Sequence, residues 1–437
     1  MMTYAEAIDY IYNLNKYGIK LGLNNISYLL FLLGNPHKKL NIIHIGGTNG
    51  KGSTAAIVSS ILQASGFKIG LYTSPHLVDF TERMKINSQN ISQKKICELL
   101  ERIKPYIEEV SNTTGYNHPT FFEVITAIAF LYFYEEKVDF LVLEVGLGGR
   151  LDATNVCQPL ISVITRIDYD HMDKLGSSLK EIAREKSGII KTGKTVISSS
   201  QYDEAYNEIK KIANERNSPL FSIGKEINYQ IKKTDITGSI FDLKGIYGEY
   251  KDMYVSLVGK HQVDNAATAI ATMEALRTKG LNIPTKAIRD GLGKVRWEGR
   301  LEIIQNEPLL VLDGAHNPNG IKIVRQTLEE LFSYNRLILI LAIFSDKDYK
   351  KMVQVISPIA DLIITTKAKN PRATPPQVIA KEAEQYINKN KIIATESIPQ
   401  AINCALLNSK KNDLICITGS LYTVGEAKRY FINKNLK

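Results

Sequence analysis

The chain has 437 residues, of which 44% are hydrophobic, and a formal net charge of +10 at neutral pH. A single hydrophobic core stops growing at about 250 to 300 residues, so this length predicts two domains. The lysines are dispersed, the apolar run at residues 337–344 is too short to span a bilayer, and the four cysteines lie far apart. We therefore expect a cytoplasmic protein without nucleic-acid or membrane partners, and no disulfide framework or zinc site.

Between residues 40 and 198, short β-branched runs alternate with amphipathic helices. This alternation predicts a parallel sheet with helices on both faces, and ligands of such sheets collect at the carboxyl ends of the strands. The predicted strands are residues 41–45, 68–72, 140–145, 161–165 and 195–198.

A glycine-rich turn, GGTNGKGST at residues 46–54, follows the first predicted strand. Backbone N–H groups of such a turn point into one concavity, and a helix predicted over residues 54–65 adds the positive end of its dipole. Lys51 would reach the β- and γ-phosphates of a nucleotide, and the hydroxyl of Ser53 or Thr54 could complete a Mg²⁺ shell. The spacing departs from the usual phosphate-loop motif, so the residues alone leave a plain strand-to-helix turn open.

A carboxylate, Glu144, is embedded in an otherwise apolar predicted strand. An ionised Glu there is costly unless a cation or donor meets it, which favours a metal ion beside the phosphate loop. Arg150 and Asp152 follow in a glycine-rich segment and could orient a polar substrate group. His171, after the next strand, could be a Mg²⁺ or Mn²⁺ ligand or simply bond a neighbour, and Lys186 has the pattern of a surface lysine.

Short alternating segments at residues 227–257 predict an antiparallel addition to the edge of the first domain. Helices follow over residues 262–279 and from Pro284, and a glycine-spaced segment at 291–300 without a clear period marks the domain boundary. The sequence thus predicts an α/β protein whose first domain, 1–295, is a phosphate-loop parallel-sheet ATPase domain, and whose second, 296–437, is smaller and Rossmann-like. The strands predicted for the second domain are residues 309–312, 337–341, 362–365, 392–394 and 414–418.

Taken together, these segments resemble the folylpolyglutamate synthase/dihydrofolate synthase branch of the Mur ligase superfamily, nearly from end to end. The matching motifs occur in the family's order: GGTNGKGS, YTSPHLVDFTER, PTFFEVITAIAF, EVGLGGRLDATN, EKSGIIK, HQVDNAATA, WEGRLE, LDGAHNP and ITGSLYTVGE. The resemblance implies an ATP-dependent amide ligase, a monomer, whose substrates are ATP, L-glutamate and dihydropteroate or a reduced folate. It also implies two Mg²⁺ ions and a CO₂-derived carbamate on Lys186.

Site residues follow from the same resemblance, position by position. The ATP-binding positions are Thr48, Asn49, Gly50, Lys51, Gly52, Ser53, Asn265, Arg300 and Asp313. One Mg²⁺ is implied at Ser53, Ser74 and Glu144, and the other at His171 and the carbamate of Lys186. The pterin-bearing substrate is expected at Thr120, Phe121, Phe122, Glu123, Arg150, Leu151 and Asp152. His316 and Ser420 are associated with glutamate, and the residues with catalytic roles are Lys51, Lys186 and His316.

The family's reaction has a physical rationale. A carboxylate is a poor electrophile, so the γ-phosphoryl group of ATP is first transferred to it, and the amine of glutamate then attacks the acyl phosphate. The alternatives are a Mur-type ligase of peptidoglycan precursors and, outside enzymes, a nucleotide-driven phosphate-loop switch or binding module. The first would normally carry a further domain before the phosphate loop, where this chain has only about 40 residues. The sequence leaves open whether the enzyme adds the first glutamate, extends reduced folates, or does both.

Overall fold

The computed structural model describes residues 2–18 and 20–435 and divides the chain into two compact units. Each unit is built around a sheet whose central strands are buried, and each has its own hydrophobic core. The first unit comprises Met1–Gln230, Phe241–Val255 and Val263–Val295, and the second comprises Ile231–Ile240, Ser256–Gln262 and Arg296–Lys437.

The first unit contains an eight-stranded sheet in the order β4-β3-β2-β5-β1-β6-β7-β8. β2, β5, β1, β6, β7 and β8 pair in parallel, whereas β3 and β4 add an antiparallel edge. The chain runs from β1 to β2 on one side and later reaches β6 on the other, so the crevice at the carboxyl end of β1 is the expected ligand position of the sheet. The strands are β1 (Ile42–Gly46), β2 (Ile69–Tyr72), β3 (Met84–Ile86), β4 (Gln89–Asn90), β5 (Phe140–Glu144), β6 (Ile161–Ile164), β7 (Thr195–Ser198) and β8 (Leu220–Ser222).

Helices cover this sheet, and the predicted α/β architecture is confirmed. The helices up to residue 294 are α1 (Tyr4–Asn13), α2 (Asn24–Leu32), α3 (Lys51–Ala64), α4 (Gln93–Asn112), α5 (Phe121–Glu135), α6 (Met172–Leu175), α7 (Leu179–Ser187), α8 (Asp203–Glu215), α9 (His261–Arg277) and α10 (Thr285–Lys294). The predicted start of α3 at residue 54 was wrong. Gly50, with φ of 88°, turns the chain directly into the helix, which therefore begins at Lys51.

The segment for which an antiparallel addition to the first domain was predicted forms a three-stranded sheet of its own, in the order β11-β10-β9. Its strands are β9 (Asn228–Asp235), β10 (Gly238–Lys244) and β11 (Glu249–Val255). The glycine-spaced segment at 291–294 is helical, as the end of α10. A Cβ at Gly291 would lie 2.5 Å from the Cα of Ile61 in α3, so the glycine allows two helix backbones to approach closely.

The second unit contains a six-stranded sheet in the order β12-β13-β17-β14-β15-β16, parallel except for β12. Its strands are β12 (Glu302–Asn306), β13 (Leu309–Leu312), β14 (Leu337–Leu341), β15 (Leu362–Thr365), β16 (Ile392–Ala394) and β17 (Leu414–Thr418). Its helices are α11 (Pro318–Leu331), α12 (Tyr349–Ile356), α13 (Pro376–Ala383), α14 (Ile398–Asn408) and α15 (Leu421–Asn435). In the part of the chain that the structure describes, no helix is both long and apolar enough to cross a membrane.

Candidate active site

The glycine-rich loop lies between the carboxyl end of β1 and the first turn of α3, in the crevice of the large sheet. Two of its glycines are sterically required. Gly47 has φ of 141° and would place a Cβ 2.0 Å from Thr165 Oγ1, and Gly50 would place one 2.4 Å from Asn265 Oδ1. The loop is therefore packed against the end of β6 and against α9, and Asn265, for which an ATP contact is predicted, lies beside it.

Two backbone N–H groups of the loop are already used within the protein. Thr48 N and Asn49 N donate to the carbonyl oxygen of Arg166, at 2.9 and 3.0 Å. The first turn of α3 suits phosphate, because the first N–H groups of a helix have no partner within the helix. The helix dipole favours an anion at the same place.

Two lysine side chains meet at one backbone oxygen of this loop. Lys51 Nζ donates to Gly47 O and to Thr48 O, both at 3.2 Å, and Lys186 Nζ donates to Gly47 O at 2.9 Å. Lys186 is only 4% exposed, so the expectation from its pattern of a surface lysine was wrong. The two cations next to a helix N-terminus make the loop a positively charged site that attracts phosphate groups.

The carboxylate of Glu144 is held at the end of β5, where it is 5% exposed. Its Oε2 accepts a hydrogen bond from the backbone N–H of Ser74 at 3.1 Å, so two of the predicted metal-binding residues are neighbours. Ser53 is buried in the first turn of α3. One carboxylate with hydroxyl oxygens suits Mg²⁺, which takes hard oxygen ligands and keeps waters and substrate phosphates in its shell.

His171 has a different environment. It stands immediately before α6 with φ of 51°, its side chain is 34% exposed, and its Nε2 lies 3.8 Å from Asp170 Oδ2. Within residues 2–18 and 20–435, no group of three or more His, Cys, Asp or Glu side chains is arranged to hold a metal ion. A metal ion in this protein would therefore draw its oxygen ligands from hydroxyls, single carboxylates, phosphate and water rather than from an acidic cluster.

A cavity of about 300 Å³ opens beside Ser74 in the first unit. Its walls combine aromatic rings with a few polar groups, which is the usual composition of a small-molecule site. A Cβ at Gly146 would lie 2.3 Å from the ring of Phe122, so the glycine lets that ring lie against the backbone. Six of the predicted substrate-binding residues line the cavity: Thr120, Phe121, Phe122, Glu123, Leu151 and Asp152.

The two acidic residues of the cavity are both engaged with the backbone. Glu123 Oε2 accepts from Thr120 N at 2.8 Å and completes a capping box at the start of α5. Asp152 accepts from Leu147 N at 2.8 Å and from Thr154 N at 3.0 Å. Burial raises the pKa of both carboxyl groups, and these hydrogen bonds oppose the rise.

Arg150 lies outside the residues that line this cavity. Its guanidinium is exposed and pairs with Glu185 at 3.0 Å, so its predicted substrate contact stays a prediction.

Sequence reasoning missed Arg83, which lines the cavity, is 5% exposed and lies over the rings of Phe80 and Phe121. The signal was its place in the YTSPHLVDFTER motif, from which only Ser74 was assigned a role.

The second unit contains four of the predicted residues, Arg300, Asp313, His316 and Ser420. Asp313, at the end of β13, accepts from Leu301 N at 2.9 Å and from Ala315 N at 2.7 Å. Burial raises the pKa of this carboxyl group, and the nearby Arg300 opposes the rise. His316 Nδ1 lies 2.9 Å from Gly314 O. Ser420, just before α15, accepts a hydrogen bond from Thr423 N at 3.1 Å.

Comparison with known proteins agrees with this geometry. The Mur ligase middle domain matches residues 45–273, and the Mur ligase glutamate ligase domain matches residues 299–421. The dihydrofolate synthase/folylpolyglutamate synthase of Bacillus subtilis is 37% identical over 98% of this chain and 99% of its own length. The Escherichia coli protein of the same name is 32% identical over 96% of this chain and 93% of its own length.

Solved structures give the same result. The structure of Mycobacterium tuberculosis folylpolyglutamate synthase complexed with ADP has a TM-score of 0.91 and 31% identity, covering 98% of this chain and 99% of that one. The structure of E. coli FolC in complex with DHPP and ADP has a TM-score of 0.89 and 29% identity, with both chains fully covered. The chain therefore belongs to the dihydrofolate synthase/folylpolyglutamate synthase family of Mur ligases and is an ATP-dependent ligase of that family.

Proposed function

We propose that this ligase joins L-glutamate to a pterin-bearing carboxylate, and that it accepts both dihydropteroate and tetrahydrofolate with its glutamate tail. The proposal is supported above all by the aromatic cavity, which is lined by Phe121, Phe122 and Asp152. Ser74 also lines this cavity, and its backbone N–H donates to Glu144. A flat heterocycle suits aromatic walls with a few polar groups.

The chemistry follows from the charges at the loop. Transfer of the γ-phosphoryl group of ATP to the substrate carboxylate brings negative charge against the first turn of α3. Lys51 and the helix N–H groups stabilise that charge. The amine of glutamate then attacks the acyl phosphate, a C–N bond forms, and phosphate leaves with the C–O bonding pair.

The residues for Mg²⁺ are proposed as follows. Ser53, Ser74 and Glu144 would hold one ion, and His171 with a carbamate on Lys186 would hold a second. When bound, Mg²⁺ neutralises charge on the phosphate oxygens. The donor set fits this ion, because it consists of hard oxygens and one imidazole.

The carbamate is proposed for Lys186 because the buried ammonium lies beside a second cation, Lys51, at the same carbonyl oxygen. Its neutral amine attacks CO₂, an N–C bond forms, and a proton is released to solvent. The product is an anionic oxygen ligand in place of a cation, which lowers the electrostatic cost of burying two ammonium groups together.

We further propose a monomer that acts in the cytoplasm. Four free cysteines, three of them buried, suit a reducing compartment. The roles that the resemblance implies for Arg300, Asp313, His316 and Ser420 stay predictions for the second unit.

The test is ADP release by the purified protein with Mg²⁺, ATP and L-glutamate, run with dihydropteroate, with tetrahydrofolate and with no pterin. Release with both pterins supports the bifunctional assignment, and release with only one assigns that single step. ADP release without any dependence on pterin would contradict the proposed substrate and favour another Mur-type ligase or a phosphate-loop switch.

A further inference from the structure

A histidine lies in the middle of β1, where neither the phosphate loop nor the cavity uses it. His44 is fully buried, between Leu143 of β5 and Ser162 of β6 in the register of the sheet. Burial, together with the nearby charge of Lys191, lowers the pKa of this imidazole to about 3. At neutral pH the ring is therefore uncharged and carries a single N–H.

The ring joins three polar side chains into one chain of hydrogen bonds. His44 Nε2 lies 2.8 Å from Thr154 Oγ1, and Thr154 Oγ1 lies 2.5 Å from Asp152 Oδ1. On the other side of the ring, Cys157 Sγ lies 3.6 Å from Nδ1. The chain runs from Cys157 through His44 and Thr154 to a carboxylate that lines the cavity.

The chemistry of these groups determines which one donates and which one accepts at each hydrogen bond. An ionised carboxylate only accepts, so the Thr154 hydroxyl donates to Asp152. The hydroxyl oxygen must then accept from His44 Nε2–H, which leaves Nδ1 as the acceptor of the thiol proton. Burial raises the pKa of Cys157 to about 12, so the sulfur keeps that proton.

The two carboxylate oxygens of Asp152 have different partners. Oδ1 accepts both the N–H and the hydroxyl of Thr154, which occupies its two lone pairs. Oδ2 accepts from Leu147 N, in the glycine-rich segment that forms a wall of the cavity. The backbone N–H of Gly146 also stabilises this carboxylate. A ligand donor would therefore meet an acceptor that is already held in place, and the carboxylate cannot rotate without breaking the bonds to Thr154.

We propose that His44 and Thr154 are positioning residues, which hold Asp152 as a fixed acceptor for an N–H group of the ligand's heterocycle. This inference rests on the proposed function, because the ligand it concerns is the pterin ring. The chain of hydrogen bonds thereby favours a ligand with the N–H donors of the heterocycle over 4-aminobenzoate, which has the same carboxylate and an amino group but no heterocycle.

The experiment measures equilibrium binding of dihydropteroate and of 4-aminobenzoate to the full-length protein without ATP, together with the KM values for dihydropteroate and ATP. Thr154→Val keeps the shape and removes the donor to Asp152. A hydrogen bond to a charged group contributes enough to change binding by about 10- to 100-fold, so we expect that loss for dihydropteroate. Binding of 4-aminobenzoate and the KM for ATP should stay within about twofold.

Two matched variants separate positioning from general damage. Thr154→Ser restores the hydroxyl and should recover dihydropteroate binding to within about threefold of the wild type. His44→Gln keeps an N–H donor for Thr154, whereas His44→Leu removes it, so only the leucine variant should weaken dihydropteroate binding. This second pair gives an independent answer should Thr154→Val fail to fold.

The proposal is overturned if the folded Thr154→Val variant binds dihydropteroate like the wild type, or if the valine and serine variants lose binding equally. It is also overturned if His44→Gln and His44→Leu behave alike. A wild-type protein that binds no dihydropteroate would instead contradict the proposed function, and the inference would fall with it.

Discussion

Lys51 Nζ and Lys186 Nζ donate to the same backbone oxygen, that of Gly47. Lys51 belongs to the first turn of α3 and Lys186 to the last turn of α7. Two ammonium groups next to one helix N-terminus suit a site that receives anions.

The first prediction concerns Lys186. Lys186→Ala should lower kcat by at least about 100-fold, because the residue is proposed to act on the transferring group. ATP binding should change by less than about threefold, because Lys51 stays in place. Steady-state kinetics and equilibrium ATP binding measure the two effects. Lys191→Ala, at a lysine nearby in sequence that donates to Asn155 O, is the control and should keep its turnover.

The carbamate has its own readout. Removing CO₂ from the buffers should lower the turnover of the wild type, and ¹³CO₂ should give a carbamate signal in the carbon NMR spectrum that Lys186→Ala lacks. Full turnover at low CO₂ by a protein without that signal would rule out the carbamate.

The second prediction concerns the glycine that starts α3. Gly50→Ala introduces a left-handed alanine whose Cβ would also meet Asn265. The variant should raise the KM for ATP at least about tenfold and lower the unfolding free energy by more than the roughly 1 to 2 kcal/mol that a left-handed residue costs.

Gly66→Ala is the matched control, because Gly66 has φ of 92° and nothing within 4 Å of its Cβ position. It should carry only the conformational cost and keep the KM for ATP. Equal effects of the two substitutions on ATP would contradict the close packing of the phosphate loop against Asn265.

The third prediction concerns Glu144. Glu144→Gln keeps an oxygen for the Ser74 N–H but removes the charge, so we expect a fall in kcat of about 100-fold and a shift of the Mg²⁺ requirement to higher concentration. A Mg²⁺ titration of turnover measures both. Glu136→Gln, at an exposed residue that pairs with Lys68, should change neither. An unchanged Mg²⁺ requirement in Glu144→Gln would remove this residue from the metal site.

The fourth prediction is a pH dependence of stability. Burial lowers the pKa of His44 to about 3 and that of His37 to about 4. The unfolded chain binds these protons near pH 6.5 and the folded chain does not, so this stability is present above pH 6.5 and is lost as the pH falls toward those values.

Each buried histidine should contribute a slope of about 1.4 kcal/mol per pH unit below pH 6. Urea unfolding followed by circular dichroism at pH 7, 6 and 5 should show a shallower slope for His44→Gln than for the wild type, and His37→Gln should act similarly and additively. A slope that neither substitution changes would contradict the neutral, buried state of these rings.

Much of the fold could be predicted from local pattern. Five of the six strands in the sheet of the second unit, β13 to β17, were predicted because each is a short apolar run between turn residues, as at Leu337–Leu341. The strands β3, β4, β8 and β12, which lie at or next to sheet edges, were missed, because short, partly polar segments are ordered by pairing with a neighbour rather than by their own pattern.

The residues of the site also divide into those that local motifs reveal and those that only the fold brings together. The phosphate loop, Glu144 and the aromatic residues of the cavity follow from motifs that are continuous in sequence. The bond between His44 and Thr154 joins residues 110 positions apart, and in sequence His44 is one polar residue within a strand of isoleucines. Its role depends on which residues the sheet brings together, and that information lies in the three-dimensional pairing.

The most direct test of the account is to supply dihydropteroate labelled with ¹⁸O in its carboxylate, together with ATP, Mg²⁺ and L-glutamate, and to analyse both products by mass spectrometry. Phosphoryl transfer to the carboxylate predicts a product enlarged by one glutamyl unit and inorganic phosphate that carries ¹⁸O. Release of ADP with unlabelled phosphate and unchanged dihydropteroate would contradict the account.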